Sequence, residues 1–357
     1  MMKTAGKRHL KWNLLVVVML AMALVSLHPA AQSTRPRQTT PPKPTPTPPR
    51  IITTKPVPLN PQKPEKQTTP ETDEESAPIR ITSTLIAVPV SVTDPAGQPV
   101  KNLTPTDFRV EEEGQAQKVE FLGEPGQSPV EIAVLFDVSG SVHERFQFEQ
   151  QAVSRFLKTV FRSNDTATIF SIGQDPKLVM ERTSNLEKAM AGAMSLQPTR
   201  EQTSLFDTVV KATHYLRDTA APGTRRVIIV ISDGEDNSSD SYNLPQALRE
   251  LQQTDCIFYS INPSGKSIWL NKISQRGQEN MQSMAQITGG YAFLPDKLED
   301  LENAFQQIAT ELQAQYLLGY YPSEERMDGK FRRIAVKVPK RPDLRIRARQ
   351  GYYAPKA

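Results

Sequence analysis

Asp137, Ser139 and Ser141 stand at alternate positions in the segment Asp137-Val138-Ser139-Gly140-Ser141. One carboxylate and two hydroxyls are hard oxygen donors, the kind that Mg2+ or Mn2+ takes and a soft metal does not. Three such side chains leave an octahedron incomplete, so further oxygens must come from elsewhere in the chain. Ser232-Asp233-Gly234-Glu235-Asp236 offers carboxylates, and Thr203 offers a loop hydroxyl within Gln202-Thr203-Ser204-Leu205-Phe206-Asp207. The candidate metal ligands are Asp137, Ser139, Ser141, Thr203 and Asp233. The competing reading of Asp137 and Ser139 is helix capping and loop hydrogen bonding, for which these residue types are favoured anyway. Asp207 falls one turn into its helix and is read as a cap or outer contact rather than a ligand. Glu235 and Asp236 read as a solvent-facing acidic loop, and Asn237, Ser238 and Ser239 as an ordinary polar one.

The elements that must position these residues are legible in the apolar pattern. Val130 to Phe136 is a continuous apolar run interrupted only by Glu131, as a buried parallel strand would be, and it empties into Asp137. Arg225 to Ile231 does the same ahead of Ser232. Around them strands and helices alternate, the pattern of a doubly wound α/β sheet. Strands are expected near 130–137, 167–173, 177–182, 226–232, 256–261 and 291–294. Helices are expected near 144–162, 185–195, 204–217, 244–253, 278–288 and 297–313. Gly173-Gln174-Asp175-Pro176 is too short for a helical crossover, so the third strand should run antiparallel at an edge.

These three loop segments, in this order on these elements, resemble a von Willebrand factor type A domain with its metal-ion-dependent adhesion site. The flanks carry a further likeness, in Val92-Thr93-Asp94 with Gly97, Asp107-Phe108, Leu318-Gly319-Tyr320-Tyr321 and Gly351-Tyr352-Tyr353. With them the chain resembles the exported bacterial proteins, typical of Acidobacteria, that carry a von Willebrand A-related domain. The likeness extends over residues 80 to 354. It implies a Rossmann-like sheet of order 3-2-1-4-5-6, with the first and fourth strands adjacent at the point where the winding reverses and ligands bind. It also implies that Ser139, Ser141 and Thr203 hold the metal directly, while Asp137 and Asp233 act mostly through bound waters. The open position of such a cation takes a carboxylate from a partner protein.

Outside the α/β region the chain changes character. Lys3, Lys7, Arg8 and Lys11 precede the apolar run Leu14 to Leu27, which ends in His28-Pro29-Ala30-Ala31, the signature of a secretory signal peptide over 1–31. An uncleaved signal anchor is the alternative, and the only route by which the membrane enters. Residues 32–78 form a Pro-rich linker of polyproline II character. Residues 79–125 and 314–357 read as short strands. Neither set is large enough for a sandwich of its own, so the α/β domain of 126–313 is expected to be inserted between two β flanks that pair into one β-sandwich. On these grounds the protein is exported, to the periplasm, the cell envelope or the medium.

The isoelectric point near 9.0 does not describe the site. Residues 1–78 carry net +6, residues 314–357 net +7, and residues 79–313 net −9. A basic face for nucleic acid is therefore missing where the candidate ligands lie. The single cysteine, Cys256, falls in an apolar strand and reads as a small buried hydrophobe. His143 lies near Ser141 without a G-x-S-x-G elbow, and His214 sits in a helical pattern as a structural residue. No phosphate-cradling glycine loop is present. The alternating Arg345, Arg347 and Arg349 share one strand face, read as solvated or, alternatively, as a contact for anionic polymers. The function expected is a non-enzymatic, divalent-metal-dependent protein interaction module. An envelope scaffold of the same fold and a metal-assisted hydrolase are the alternatives.

Overall fold

In the computed structural model the described residues are 85–139, 146–199, 201–265, 272–324 and 327–356. The leader and linker expected over 1–78 lie outside them, as do Ser141 and His143. The chain enters through β1 (Ile86–Thr93), β2 (Arg109–Glu112), β3 (Gln115–Gln117) and β4 (Phe121–Gly123). It then alternates through β5 (Val130–Asp137), α1 (Phe146–Val160), β6 (Thr166–Ile172), β7 (Lys177–Thr183), α2 (Leu186–Met194) and α3 (Leu205–Thr219). The pattern continues with β8 (Arg225–Ile231), α4 (Leu244–Gln253), β9 (Cys256–Ile261), α5 (Lys272–Thr288), β10 (Ala292–Phe293) and α6 (Leu298–Ala314). Four strands close it: β11 (Tyr316–Tyr320), β12 (Phe331–Lys337), β13 (Arg345–Ala348) and β14 (Gly351–Tyr353).

The central sheet has the order β10-β9-β8-β5-β6-β7. Counted along the α/β region this is 6-5-4-1-2-3, parallel except for β7, which pairs antiparallel with β6 at the edge. The fold is thus mixed α/β, with a Rossmann-like doubly wound sheet. β5 is buried along its whole length, as a middle strand covered on both faces must be. Its alternation sorts the core: Ile132, Val134 and Phe136 pack with α1, α2 and α6, while Ala133 and Leu135 pack with α3, α4 and α5.

The flanks form two antiparallel sheets, β13-β1-β11-β4 and β14-β12-β2-β3. Each sheet mixes strands from both flanks, and β1 lies between β11 and β13. Val88, Val90, Val110, Leu318 and Tyr320 are among the side chains buried in the sandwich core.

One expectation fails at the junction between sandwich and α/β domain. Arg347 and Arg349 do not lie on a solvated face. Arg349 is only 8% exposed, pairs with Asp255 and donates to Ala87 O at 2.8 Å. Arg347 pairs with Glu311 of α6, whose other oxygen accepts from Ser91 Oγ at 2.6 Å and Tyr259 Oη at 2.7 Å. Arg345 alone of the three is exposed. Alternation establishes that three residues share a face, but another domain covers this one. α5 also begins six residues earlier than expected, because Gly277 is helical. A Cβ there would stand 2.5 Å from the backbone of Gly234, so the glycine lets helix and loop touch rather than ending the helix.

Candidate metal centre

Asp137 is the last residue of β5 and is fully buried. Its Oδ1 accepts from Ser139 N at 2.9 Å and its Oδ2 from Ser232 Oγ at 2.6 Å. The second bond ties the carboxyl end of β5 to that of β8, and Ser232 Oγ in turn accepts from Gly234 N at 3.0 Å. Burial pushes the Asp137 carboxyl up to about 6; hydrogen bonds from Ser232 and Ser139 oppose the rise, and the charge of Asp233 adds to it. Asp233 accepts from Glu235 N at 3.1 Å, folding its loop back on itself.

Thr203 joins from the loop before α3. Its N–H donates to Asn237 Oδ1 at 2.8 Å, and its carbonyl accepts from Asn237 N and Ser238 N, both at 3.0 Å. The residue is only 4% exposed, yet its hydroxyl has no hydrogen-bond partner among the described residues. The next residue, Ser204, occupies the N-cap position of α3 but does not cap it, because its hydroxyl donates to Gly173 O at 2.7 Å.

The N–H groups at the start of α3 must then find another acceptor. Asp236 supplies it, accepting from Leu205 N at 2.7 Å, Phe206 N at 3.3 Å and Ser239 Oγ at 2.6 Å. Burial raises its carboxyl above the ordinary range. Asp236 is therefore a half-buried clasp and not a solvent-facing rim, and Asn237 and Ser239 belong to the same clasp. Asp207 caps no helix: its carboxylate holds the loop before α4, accepting from Asp240 N, Ser241 N and Tyr242 N. Glu235 takes the hydroxyl of Ser274 at 2.6 Å, which binds the loop to α5.

The described residues thus bring Asp137, Ser139, Thr203 and Asp233 to one end of the sheet, at the junction of β5 and β8. Ser141 lies outside the described residues. The donor types fit a hard divalent cation: they offer only oxygen, they include the Thr203 hydroxyl, which bonds to nothing else among the described residues, and the Asp233 charge is felt at Asp137. Ser232 and Asn237, which organise the three loops, were missed. The legible signal was the run of short polar side chains after β8, which is longer than a simple turn needs.

His214 lies apart from these loops. Its Nε2 meets Glu250 Oε2 at 2.8 Å on the outer surface of α3 and α4. Cys256 is buried and its thiol is pushed up to about 11. No helix among the described residues is long and apolar enough to cross a membrane.

Residues 132–235 match the von Willebrand factor type A domain. Among curated proteins none matches. Solved structures with a similar chain course include the conserved hypothetical protein BatB from Bacteroides thetaiotaomicron, at 20% identity and TM-score 0.39, covering 51% of this chain and 98% of that one. The vWF domain of the type V pili tip protein Mfa5 from Porphyromonas gingivalis is 12% identical at TM-score 0.41, covering 51% and 94%. The PilB minor pilin from Streptococcus sanguinis is 14% identical at TM-score 0.42, covering 53% and 62%. Over residues 132–235, which include Asp137, Thr203 and Asp233, the chain is similar to von Willebrand factor type A domains.

Proposed function

We propose that the protein is an exported protein interaction module that binds its partner through a divalent cation, Mg2+ or Mn2+. Asp137, Ser139, Ser141, Thr203 and Asp233 would hold the ion. The observation that carries this reading is Thr203, whose backbone groups are both bonded while its hydroxyl, in a buried residue, is not. A hydroxyl that braces nothing in its own loop is available as an oxygen ligand. When bound, the cation supplies an electrophilic position open to an outside oxygen. The chain's own part is to hold that position rigid through the Ser232–Asp137 bond and the Asp236 clasp. The partner chemistry this favours is a carboxylate on another protein. Export is supported by the basic and apolar pattern of residues 3 to 31, and the flank motifs support closer kinship with the exported proteins typical of Acidobacteria.

We read the protein as a non-enzyme, since His214 is engaged by Glu250 away from the loops. The scaffold reading has its own support in the buried junction around Glu311, which holds sandwich and α/β domain together without any metal.

Calorimetric titration with Mg2+ and Mn2+ tests the proposal, beside Asp137→Ala and Thr203→Ala. The expected result is heat in the wild type that both variants lose while remaining folded. The titration is repeated with acetate present, because the cation can require a partner carboxylate. Absence of heat in both conditions would leave the scaffold reading standing. If metal binds, partner capture should fail in chelator and be competed by free carboxylates.

A further inference from the structure

A sizeable cleft lies away from the metal loops. It has a volume of about 530 Å³ and opens between α5, the segment Gly289 to Leu294, and the strands β12 and β13 of the sandwich. That is within the range of small-ligand sites.

Its polar wall is made of amides. Gln278, Gln282 and Gln286 are spaced four residues apart on α5 and line the cleft from one side, and Gln350 lines it from the sandwich. Gln278 Oε1 is buried and has no hydrogen-bond partner. Tyr291 stands at the mouth with half its surface exposed. Its ring is fixed edge-on to Phe293 at 4.8 Å, with the Arg347 guanidinium 5.2 Å from its centroid. Ala285, Ile334, Val336 and Ile346 give the cleft an apolar lining.

Charge does not select the ligand. Each cation on the wall is paired with a carboxylate, Lys337 with Glu111, Arg347 with Glu311 and Arg349 with Asp255, while Arg347 Nη1 and Arg349 Nε keep N–H donors that a neutral carbonyl or hydroxyl oxygen can take. Among the described residues no aspartate or glutamate lines the cleft. A side-chain amide presents donors and an acceptor together, which matches hydroxyl and acetamido groups. A held aromatic ring offers a flat apolar face. We infer that this cleft binds a short uncharged oligosaccharide bearing acetamido groups, an acetamido N–H supplying the donor that Gln278 lacks. The site is a binding site, because none of its described lining residues is a carboxylate that could protonate a leaving sugar.

The test is calorimetric titration of the full chain with the linear trisaccharide of N-acetylglucosamine, in chelator, so that the outcome does not depend on the metal reading. Maltotriose and a short peptide of alternating glutamate and valine serve as competing probes. The expected result is saturable binding of the acetamido sugar, roughly tenfold weaker in Gln278→Ala and in Tyr291→Ala. Tyr321→Ala, which removes a comparably exposed tyrosine outside the cleft, should leave binding and melting temperature unchanged. Three results would overturn the inference: no heat with the trisaccharide, equal or tighter binding of maltotriose or the peptide, or retention of full affinity by both cleft variants while folded.

Discussion

Two buried polar regions of this molecule are built on opposite terms. At the junction, the carboxylate of Glu311 receives a serine, a tyrosine and an arginine, so its charge is met from within the chain. At the carboxyl ends of β5 and β8, the carboxylate of Asp137 receives only neutral donors and has a second carboxylate nearby. A buried ion with an opposite partner is self-sufficient, whereas one solvated only by dipoles holds its charge reluctantly. The difference separates a joint that fastens domains from a site that has capacity left for something outside the chain.

The comparison breaks most sharply at Glu311. Glu311→Ala strands Arg347 and the two hydroxyls in the junction and should cost about 3–5 kcal/mol. Denaturant unfolding at equal slope would measure it, with or without metal.

Asp137→Asn should act in the opposite direction in chelator. A carboxyl raised from its ordinary 3.8 to about 6 retains its proton in the folded state, so its contribution to stability is full below the ordinary value and is lost as pH rises through about 6. At neutral pH the ionised group therefore costs about 3 kcal/mol. Removing the charge should recover most of that, flatten the pH dependence and abolish any response to Mg2+. A destabilised asparagine variant in chelator at neutral pH would mean the carboxylate is structural, as Glu311 is.

Gly277→Ala sharpens the contrast by disturbing one region alone. The new methyl would meet the Gly234 backbone, which cannot yield, so α5 should move off the Asp233 loop at about 1–3 kcal/mol. Metal heat should fall while the junction stays intact, which amide exchange at Ser91 and Gln315 would report. The smallest effect belongs to exposed pairs: Arg155→Ala, which loses Glu302 at 2.8 Å on the surface, should shift stability by less than about 1 kcal/mol.

The sheet was readable from its strands because a middle strand buried on both faces cannot disguise itself. Val130 to Phe136 admits few other readings, and the short connection at Gly173 to Pro176 forces β7 to run backwards. The same arguments placed Asp137 and Asp233 at strand ends, and it was the strand order implied by the resemblance to von Willebrand factor type A domains that made those ends neighbours. What remained hidden depended on partners distant in sequence. The alternation of Arg345, Arg347 and Arg349 could not reveal that Glu311 and Asp255 lie opposite. Asp236 looked solvent-facing because its role arises only when Ser204 turns its hydroxyl to Gly173 and leaves α3 without its own cap. The helix expected from 278 begins at Lys272 instead, and the reason for a glycine at 277 sits forty-odd residues away, at Gly234.

The interleaving of the flanks has a consequence for the order of events as the chain is made. β1 to β4 emerge first, yet every sheet they join also needs β11 to β14, and the entire α/β domain is synthesised in between. The early strands must wait, with unpaired edges, while the middle of the chain folds by its own more local contacts. Sandwich closure is thus the last step of assembly. A chain that lost its final strands by clipping or premature termination would present a finished α/β domain with an open sheet edge attached, a shape that quality-control proteases and chaperones can recognise.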